Sequence, residues 1–201
     1  MAIYKFDTPI SESEVRKLKV NDVLYISGTI VTARDQAHRR ALEYSKQAKA
    51  LPVELEGLAV FHCGPIVKKK EDRWTIVAAG PTTSTRMDIF EDEFIEKFKV
   101  RVIIGKGGMG KRTTEAMKKY GAVYGAFTGG AAILAAKAIK NVNRVEWFDL
   151  GMPEAMWIME VEEFGPLAVA IDSHGNNLFA KIQKKTEENR VKVYKELGLQ
   201  P

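Results

Sequence analysis

The chain of 201 residues is long enough to bury one substantial core, with 45% apolar and 28% charged residues. No stretch approaches the roughly 18–20 consecutive apolar residues that cross a membrane. The N-terminus has no apolar secretory core, so we expect a cytoplasmic protein without a membrane partner. The single cysteine, Cys63, excludes an internal disulfide and an iron–sulfur or zinc centre held by several thiolates of this chain alone.

Strand and helix signals alternate along most of the chain, which predicts an α/β protein. Residues 23–33 are β-branched and apolar and predict a strand, and residues 35–50 predict a helix with Asp35 as its N-cap. Residues 88–98 are amphipathic with acidic residues near the start, which predicts a second helix. Further strands are predicted in LAVFHCG, RWTIVAAG and RVIIG, and KRTTEAMKKYG predicts a helix ended by Gly121.

The last third of the chain predicts a strand in GAVYGAF, a mostly buried helix in GGAAILAAKAIKNV and strands in MWIMEVEEF and PLAVAI. Trp157, Met159 and Val161 alternate and predict one face of a core strand. The run at about 181–197 mixes both charge signs at helical spacing, so the net charge of +5 fits an exposed helix rather than a nucleic-acid arm. We expect one domain over residues 1–201, with a mixed sheet and flanking helices.

Three predicted strand-to-helix junctions each carry a basic side chain among small or hydroxyl residues. GTIVTARDQAHRR contains Arg34, AAGPTTSTRMD contains Arg86 and VIIGKGGMGKR contains Lys106. Each junction alone fits a local ion pair, a capped turn or a flexible loop equally well. Ligands of open α/β sheets, however, bind beyond the carboxyl ends of strands, where helix N-termini favour anions and arginine fits a carboxylate. If the three loops converge, they predict a site for a small ligand with two carboxylates.

The glycine loop matches two other kinds of site incompletely. GKGGMGKRT approaches the Walker phosphate loop, but Arg112 stands where the magnesium-binding hydroxyl belongs. The loop also resembles the GxxG of a KH-like RNA-binding domain, which lies between two helices, whereas RVII predicts a strand before it. RNA binding therefore stays an alternative of another class, and a dicarboxylate-binding protein without catalytic activity is a third.

Four segments, taken in their order along the chain, resemble the class I (iron–sulfur) fumarate hydratase / L(+)-tartrate dehydratase family. They are GTIVTARDQAHRR, GPTTSTRMD, GKGGMG and EAMWIMEVEEFGPLAVAIDSHGN. The chain is similar to the β-type component, which forms a separate subunit in some members and a C-terminal domain in others. The resemblance implies a swivelling β/β/α domain. It implies a β subunit of a hydro-lyase that reversibly hydrates fumarate to (S)-malate, with L(+)-tartrate dehydration as the alternative.

The same resemblance implies partners and site residues. An α-type subunit would hold a [4Fe–4S] cluster, with none on this chain, in a hetero-oligomer; a homodimer of the isolated chain is the alternative. Arg34, Arg86 and Lys106 match positions that grip substrate carboxylates, and Thr82 matches a position proposed for proton transfer at C3. The candidate residues are Thr82 for catalysis, Arg34, Thr83, Arg86 and Lys106 for substrate binding, and His38, Gly105 and Gly107 as further members, with no metal ligand.

The histidines and the cysteine have less specific contexts. His38 follows Arg34 in the first turn of a predicted helix, where capping or orienting the loop competes with acid–base chemistry. His62 and Cys63 come at a predicted strand end and could line the cleft or face the partner. His174 lies in a predicted turn, which favours a solvated side chain.

Overall fold

The computed structural model describes residues 1–198, and residues 199–201 of the predicted domain lie outside the described part. The strands are β1 (Ile3–Asp7), β2 (Val23–Thr32), β3 (Ala59–Phe61), β4 (Ile66–Lys70), β5 (Arg73–Ala78), β6 (Val102–Gly105), β7 (Val123–Ala126), β8 (Ile139–Glu146) and β9 (Met156–Ile171). The helices are α1 (Glu12–Val15), α2 (Asp35–Lys46), α3 (Asp88–Phe98), α4 (Lys111–Tyr120), α5 (Ala132–Ala138) and α6 (Leu178–Glu196).

Seven strands form one mixed sheet in the order β1-β2-β3-β6-β7-β9-β8, while β4 and β5 pair separately. Strands β1, β2, β3, β6 and β7 run parallel to one another, and β9 is antiparallel to β2, β7 and β8. Because β9 pairs with both β7 and β2, the strands β2, β3, β6, β7 and β9 close into a ring. The predicted α/β class, mixed sheet and C-terminal antiparallel pairing are confirmed.

Two apolar layers follow from the alternation of side chains along the strands. In β6, Val102 and Ile104 belong to one core cluster, whereas Ile103 belongs to the other. The first cluster also contains Trp157, Met159 and Val161, as their alternation predicted. The second cluster joins the sheet to α2, α3 and α4 through apolar residues of those helices, including Ala37, Ala41, Phe94, Ile95 and Met117. These helices therefore pack on the outside of the ring.

Local chemistry explains several helix ends. Ser11 and Glu14 form a capping box that starts α1. Gly121 has φ +71° and ends α4 in the left-handed conformation, as predicted. Asn177 starts α6 by accepting a hydrogen bond from the Ala180 amide. No helix within residues 1–198 is both long and apolar enough to cross a bilayer.

The structure contradicts three predictions: the N-cap at Asp35, the extent of the helix in GGAAILAAKAIKNV and the burial of that helix. The predicted N-cap Asp35 is the first helical residue, and Arg34 holds the cap position without a side-chain hydrogen bond. The Asp35 carboxylate instead accepts from Arg86, which removes it from the capping geometry. The helix predicted in GGAAILAAKAIKNV stops at Ala138, and only Ala135 of α5 is buried. From Ile139 the backbone pairs with β9 as strand β8, so tertiary pairing overrides local helix propensity.

Candidate active site

The candidate residues lie in loops beyond the carboxyl ends of neighbouring parallel strands. Arg34 follows β2, and Lys106 follows β6. Backbone bonds extend the ladder past the strand ends, from the Ala33 amide to the Phe61 carbonyl at 3.1 Å and from the His62 amide to the Ile104 carbonyl at 2.8 Å. These loops therefore share one rim of the ring, which is where α/β sheets bind ligands.

The hydroxyl-rich loop inserts between two of these strand ends. The Thr82 amide donates to the His62 carbonyl at 2.6 Å, and the Lys106 amide donates to the Thr82 carbonyl at 3.3 Å. The Ser84 amide in turn donates to the Lys106 carbonyl at 2.9 Å. The backbone thus holds Thr82, Thr83 and Lys106 side by side, with Thr82 half-buried and the other two exposed.

Each arginine of the candidate site is already paired with a carboxylate. Arg86 Nη2 lies 2.5 Å from Asp35 Oδ2, and the Arg86 side chain is 52% exposed. Arg34 Nη2 lies 3.2 Å from Glu154 Oε1 in a mostly buried pair. The Arg34 Nε is buried and has no hydrogen-bond partner among residues 1–198. An added Cβ at Gly64 would lie 2.7 Å from Arg34 Nη1, so this glycine makes room for the guanidinium.

The glycine loop is fixed by contacts to the hydroxyl-rich loop and to α3. Thr85 Oγ1 donates to the Gly108 carbonyl at 2.9 Å. Asp88 accepts from the Gly110 amide at 2.8 Å and from Thr113 Oγ1 at 2.6 Å. Sequence reasoning gave Asp88 no role beyond opening the helix. The hydroxyl-rich loop that carries Arg86 and the glycine loop that carries Lys106 are therefore in contact.

Two glycines and one lysine shape the rim around the glycine loop. A Cβ at Gly105 would lie 1.9 Å from Ser84 Oγ, so Gly105 is needed for packing of the two loops. Gly107 has φ +77° and lets the backbone turn after Lys106. Lys106 is exposed and forms no ion pair within the described part of the chain. Its ammonium is the cation of the rim with the least competition from protein carboxylates.

The sequence of residues 3–182 matches the family described as Fumarase C-terminus. The chain belongs to this family. It is 46% identical over 190 residues to the L(+)-tartrate dehydratase subunit beta of Escherichia coli (strain K12), covering 94% of this chain and 93% of that protein. It is 47% identical over 180 residues to the putative L(+)-tartrate dehydratase subunit beta of Methanocaldococcus jannaschii, covering 89% and 92%. The resemblance that the motifs indicated is confirmed.

A third relative contains a similar sequence as part of a longer protein. The putative fumarate hydratase class I of Geobacillus stearothermophilus is 41% identical over 187 residues, which cover 92% of this chain but 35% of that protein. The Fumarase C-terminus family thus includes separate chains of this length and parts of larger ones.

Beneath the rim of this family member, three titratable side chains are fully buried together. Glu91 Oε2 lies 3.0 Å from His62 Nε2 and 3.4 Å from His38 Nε2. Burial alone would raise the pKa of the Glu91 carboxyl, but His38 and His62 outweigh it and lower that pKa to about 2. Burial opposes the charge of both rings; Glu91 nevertheless raises the pKa of His38, whereas burial prevails and lowers the pKa of His62.

The buried cluster corrects the expectations for the histidines. Both rings have no exposed side-chain surface, so neither His62 nor His38 lines the open cleft. His38 Nδ1 lies 2.8 Å from the Arg34 carbonyl oxygen, which agrees with the orienting role weighed for it. Sequence reasoning missed Glu91. Its signal was a carboxylate one turn before Phe94 and Ile95, on the apolar face of α3.

Cys63 tests whether this chain could contribute to an iron–sulfur centre. Its side chain is fully buried in the core cluster of the ring, and burial raises the pKa of the thiol to about 12. A thiolate is the form that binds iron, so this site disfavours cluster ligation. Cys63, the single thiol of the chain, is therefore a poor ligand for a cluster.

A cavity of about 870 Å³ lies next to the rim rather than on it. It is bordered by the glycine loop and the start of α6, including Gly108, Met109, Phe179 and Ile182. None of Arg34, Thr82, Arg86 or Lys106 lines it. Arg86 and Lys106 are exposed and Arg34 is partly exposed, so the cationic side chains reach the open edge of the rim. The convergent polar groups of the rim are a better guide to function than the size of this cavity.

Proposed function

We propose that this chain is the β-type component of an iron–sulfur-dependent hydro-lyase that converts fumarate to (S)-malate reversibly. The observation that carries the proposal is the backbone insertion that sets Thr82 and Lys106 side by side at a rim shared with Arg34 and Arg86. Family membership supplies the reaction class, and this geometry supplies a substrate class. Cations on separate loops around hydroxyl groups suit a small dicarboxylate.

The three cations would divide the two carboxylates of the substrate. Arg86 is exposed, and Asp35 is its one ion-pair partner within residues 1–198. Such a surface pair contributes about 0–1 kcal/mol, so a substrate carboxylate can replace Asp35 at small cost. Lys106 has no competing carboxylate within residues 1–198. As the proton leaves C3, negative charge builds up on the neighbouring carboxylate, and cations already in place stabilise it.

Thr82 would handle the proton at C3. Its backbone is held on both sides, by His62 and by Lys106, so the hydroxyl is oriented before substrate arrives. A free hydroxyl is a weak base, and it becomes competent only when neighbouring groups activate it. The adjacent Lys106 is the group of this chain best placed to lower the cost of a negative Thr82 oxygen.

The enzyme would need an α-type subunit in a cytoplasmic hetero-oligomer. That subunit would carry a [4Fe–4S] cluster, which when bound supplies a Lewis acid for the substrate hydroxyl. This chain contributes binding, orientation and proton transfer. The open edge at which the cations lie is the surface that such a subunit would cover.

Dehydration of L(+)-tartrate is the second candidate, because two relatives at 46% and 47% identity bear the name L(+)-tartrate dehydratase subunit beta, the latter as putative. Tartrate and malate share the four-carbon dicarboxylate frame, so the same cations would bind either. The substrates differ by one hydroxyl, and the rim hydroxyls of Thr82 and Thr83 are the groups that could favour the more polar one.

Anaerobic co-expression with an α-type subunit tests the proposal. The ultraviolet absorbance of fumarate would be followed with malate, and oxaloacetate formation would be followed with tartrate. We expect activity that requires both chains and is lost in air, and the substrate with the higher kcat/KM names the enzyme. A cluster-loaded complex without either activity would contradict the proposal. Salt-sensitive retention of single-stranded RNA by the chain would then favour the RNA-binding alternative.

A further inference from the structure

The buried cluster of His38, His62 and Glu91 joins three elements that also build the rim. His38 belongs to α2, which begins directly after Arg34, and His62 follows β3 directly before the loop insertion. Glu91 belongs to α3, which starts just after Arg86. Within residues 1–198, His38 Nε2, His62 Nε2 and both Glu91 oxygens are buried without a hydrogen-bond partner, so charge rather than hydrogen bonding holds Glu91 between the rings. A buried charge needs a compensating charge beside it, and this limits where the protons can be.

The proton inventory of His38 follows from a backbone contact. Its Nδ1 lies 2.8 Å from the Arg34 carbonyl oxygen. A carbonyl oxygen only accepts, so Nδ1 carries a proton. His38 Nε2 lies 3.4 Å from Glu91 Oε2. The two histidines hold the pKa of the Glu91 carboxyl at about 2, so Glu91 is ionised and needs a cation beside it in the dry interior. A second proton on His38 supplies that cation.

The proton inventory of His62 follows from the same oxygen. Its Nε2 lies 3.0 Å from Glu91 Oε2, so the charge of the carboxylate favours a ring proton on Nε2. Its Nδ1 lies 2.9 Å from Ser84 Oγ, and Tyr124 Oη donates to the same Oγ at 3.0 Å. Ser84 can therefore pass its own proton to Nδ1, which leaves the single ring proton on Nε2. Protonating both rings would bury a net positive charge, whereas this arrangement is neutral overall.

We infer that His38, Glu91 and His62 form a buried polar network, with doubly protonated His38, ionised Glu91 and Nε2-protonated His62, that positions the rim. Tyr124 Oη donates to Ser84 Oγ, Ser84 Oγ contacts His62 Nδ1, and His38 Nδ1 donates to the Arg34 carbonyl, while the Glu91 carboxylate lies between the two rings as their counter-charge. The directions of the pKa shifts agree with this assignment. Asp35, the other carboxylate that acts on both rings, favours the same cation.

The network touches the candidate site at two points. Through the Arg34 carbonyl it fixes the backbone of a carboxylate-binding arginine. Through the hydroxyl of Ser84 it fixes the backbone two positions after Thr82. The Thr82 amide itself donates to the His62 carbonyl. The three residues are positioning residues, since none of them reaches the open edge. Their positioning role rests on the proposed function, whereas their protonation states do not.

Nitrogen-15 NMR of the full chain labelled at histidine tests the protonation states without substrate or partner. At neutral pH we expect one ring with both nitrogens protonated and one buried ring with a bare Nδ1. His174 is exposed, so a His174→Gln variant removes its signals and leaves those of the buried pair. A bare Nε2 on His38 would overturn the inference. So would one equivalent of a divalent metal in protein purified without chelators, because a metal needs those lone pairs.

Glu91→Gln tests the positioning role in the assembled enzyme, with Glu93→Gln on the same helix as the matched control. Removing the charge should return His38 to a singly protonated ring and lower kcat about tenfold or more through misplaced Thr82, with a smaller change in KM. Glu93 pairs with Lys46 near the surface, so its variant should change neither. A Glu91→Gln enzyme that lost the second His38 proton but kept full kcat would refute positioning. An inactive wild-type complex with the expected NMR spectrum would refute only the proposed function.

Discussion

The rim and the buried cluster contain similar ion pairs in opposite surroundings. Arg86 and Asp35 approach to 2.5 Å with side-chain exposures of 52% and 22%, whereas His62 and Glu91 approach to 3.0 Å with none. An exposed pair is worth about 0–1 kcal/mol and exchanges partners readily. A buried pair costs about 3–5 kcal/mol when one partner is removed, because the other charge is left without compensation. Exchangeable charges suit a site that must accept a ligand, and fixed charges suit the layer that supports it.

The largest effect should come from a rim residue that acts on the reaction alone. Thr82→Ala in the assembled enzyme should lower kcat by about 10²–10⁴, the range that a positioned proton-transfer group supplies. The free energy of unfolding should change little, because Thr82 is held through its backbone atoms. Steady-state kinetics and denaturant unfolding measure the two quantities. Near-normal turnover would remove Thr82 from the proton-transfer step.

The second largest effect should be a difference in stability between a variant of the buried ion pair and a variant of the exposed one. Glu91→Ala should reduce the free energy of unfolding by about 3–5 kcal/mol, since it leaves two buried rings without their acceptor. Asp35→Asn should reduce it by no more than about 1 kcal/mol. Urea unfolding of the two variants under the same conditions makes the comparison. Equal losses would show that burial does not set the strength of these pairs.

A smaller kinetic effect should distinguish the planar fork of arginine from its charge. Arg86→Lys keeps the cation but loses bidentate contact, so kcat/KM should fall about tenfold while the fold is retained. Arg112→Lys is the matched control, because Arg112 is exposed and paired with Asp92 outside the rim. Unchanged kinetics in Arg86→Lys would mean that Arg86 contributes only charge.

The sequence predicted the rim better than the layer below it. Arg34, Arg86 and Lys106 stand in loops whose composition is visible along the chain, and the structure brings the loops of Arg86 and Lys106 into contact. Whether these residues act as proposed is what the variants decide. The helix at 88–98 was also predicted with its bounds, because its period and its acidic start agree.

The rest depended on pairings between distant residues. Glu91 gained its meaning from His38 and His62, which lie 53 and 29 residues earlier in the chain and come close only when the helices dock on the ring. Residues 139–142, at the start of β8, were predicted as the end of a helix because the preceding alanines favour helices, and their pairing with β9 could not be seen locally. Strands β1 and β4 were not predicted at all.

The pH dependence of stability should give the finest test of the comparison. The Glu91 carboxyl has a pKa of about 2 in the folded chain and an ordinary value near 4.5. A depressed pKa stabilises the fold above the ordinary value, and the contribution is lost as pH falls from about 4.5 towards about 2. Glu91→Gln should therefore flatten the fall in unfolding free energy across that interval, measured by urea unfolding at a series of pH values.

The two histidines should affect the unfolding free energy at higher pH, on either side of their ordinary pKa of 6.5. The raised pKa of His38 stabilises the fold below its ordinary value of 6.5, and this contribution is lost as pH rises through the raised pKa. The lowered pKa of His62 stabilises the fold above 6.5 and is lost as pH falls through the lowered pKa. Stability should therefore decline in both directions from neutrality. Glu93→Gln, which removes a surface pair with Lys46, should keep that shape, and a wild-type profile without it would contradict the assignment of one charged and one neutral ring.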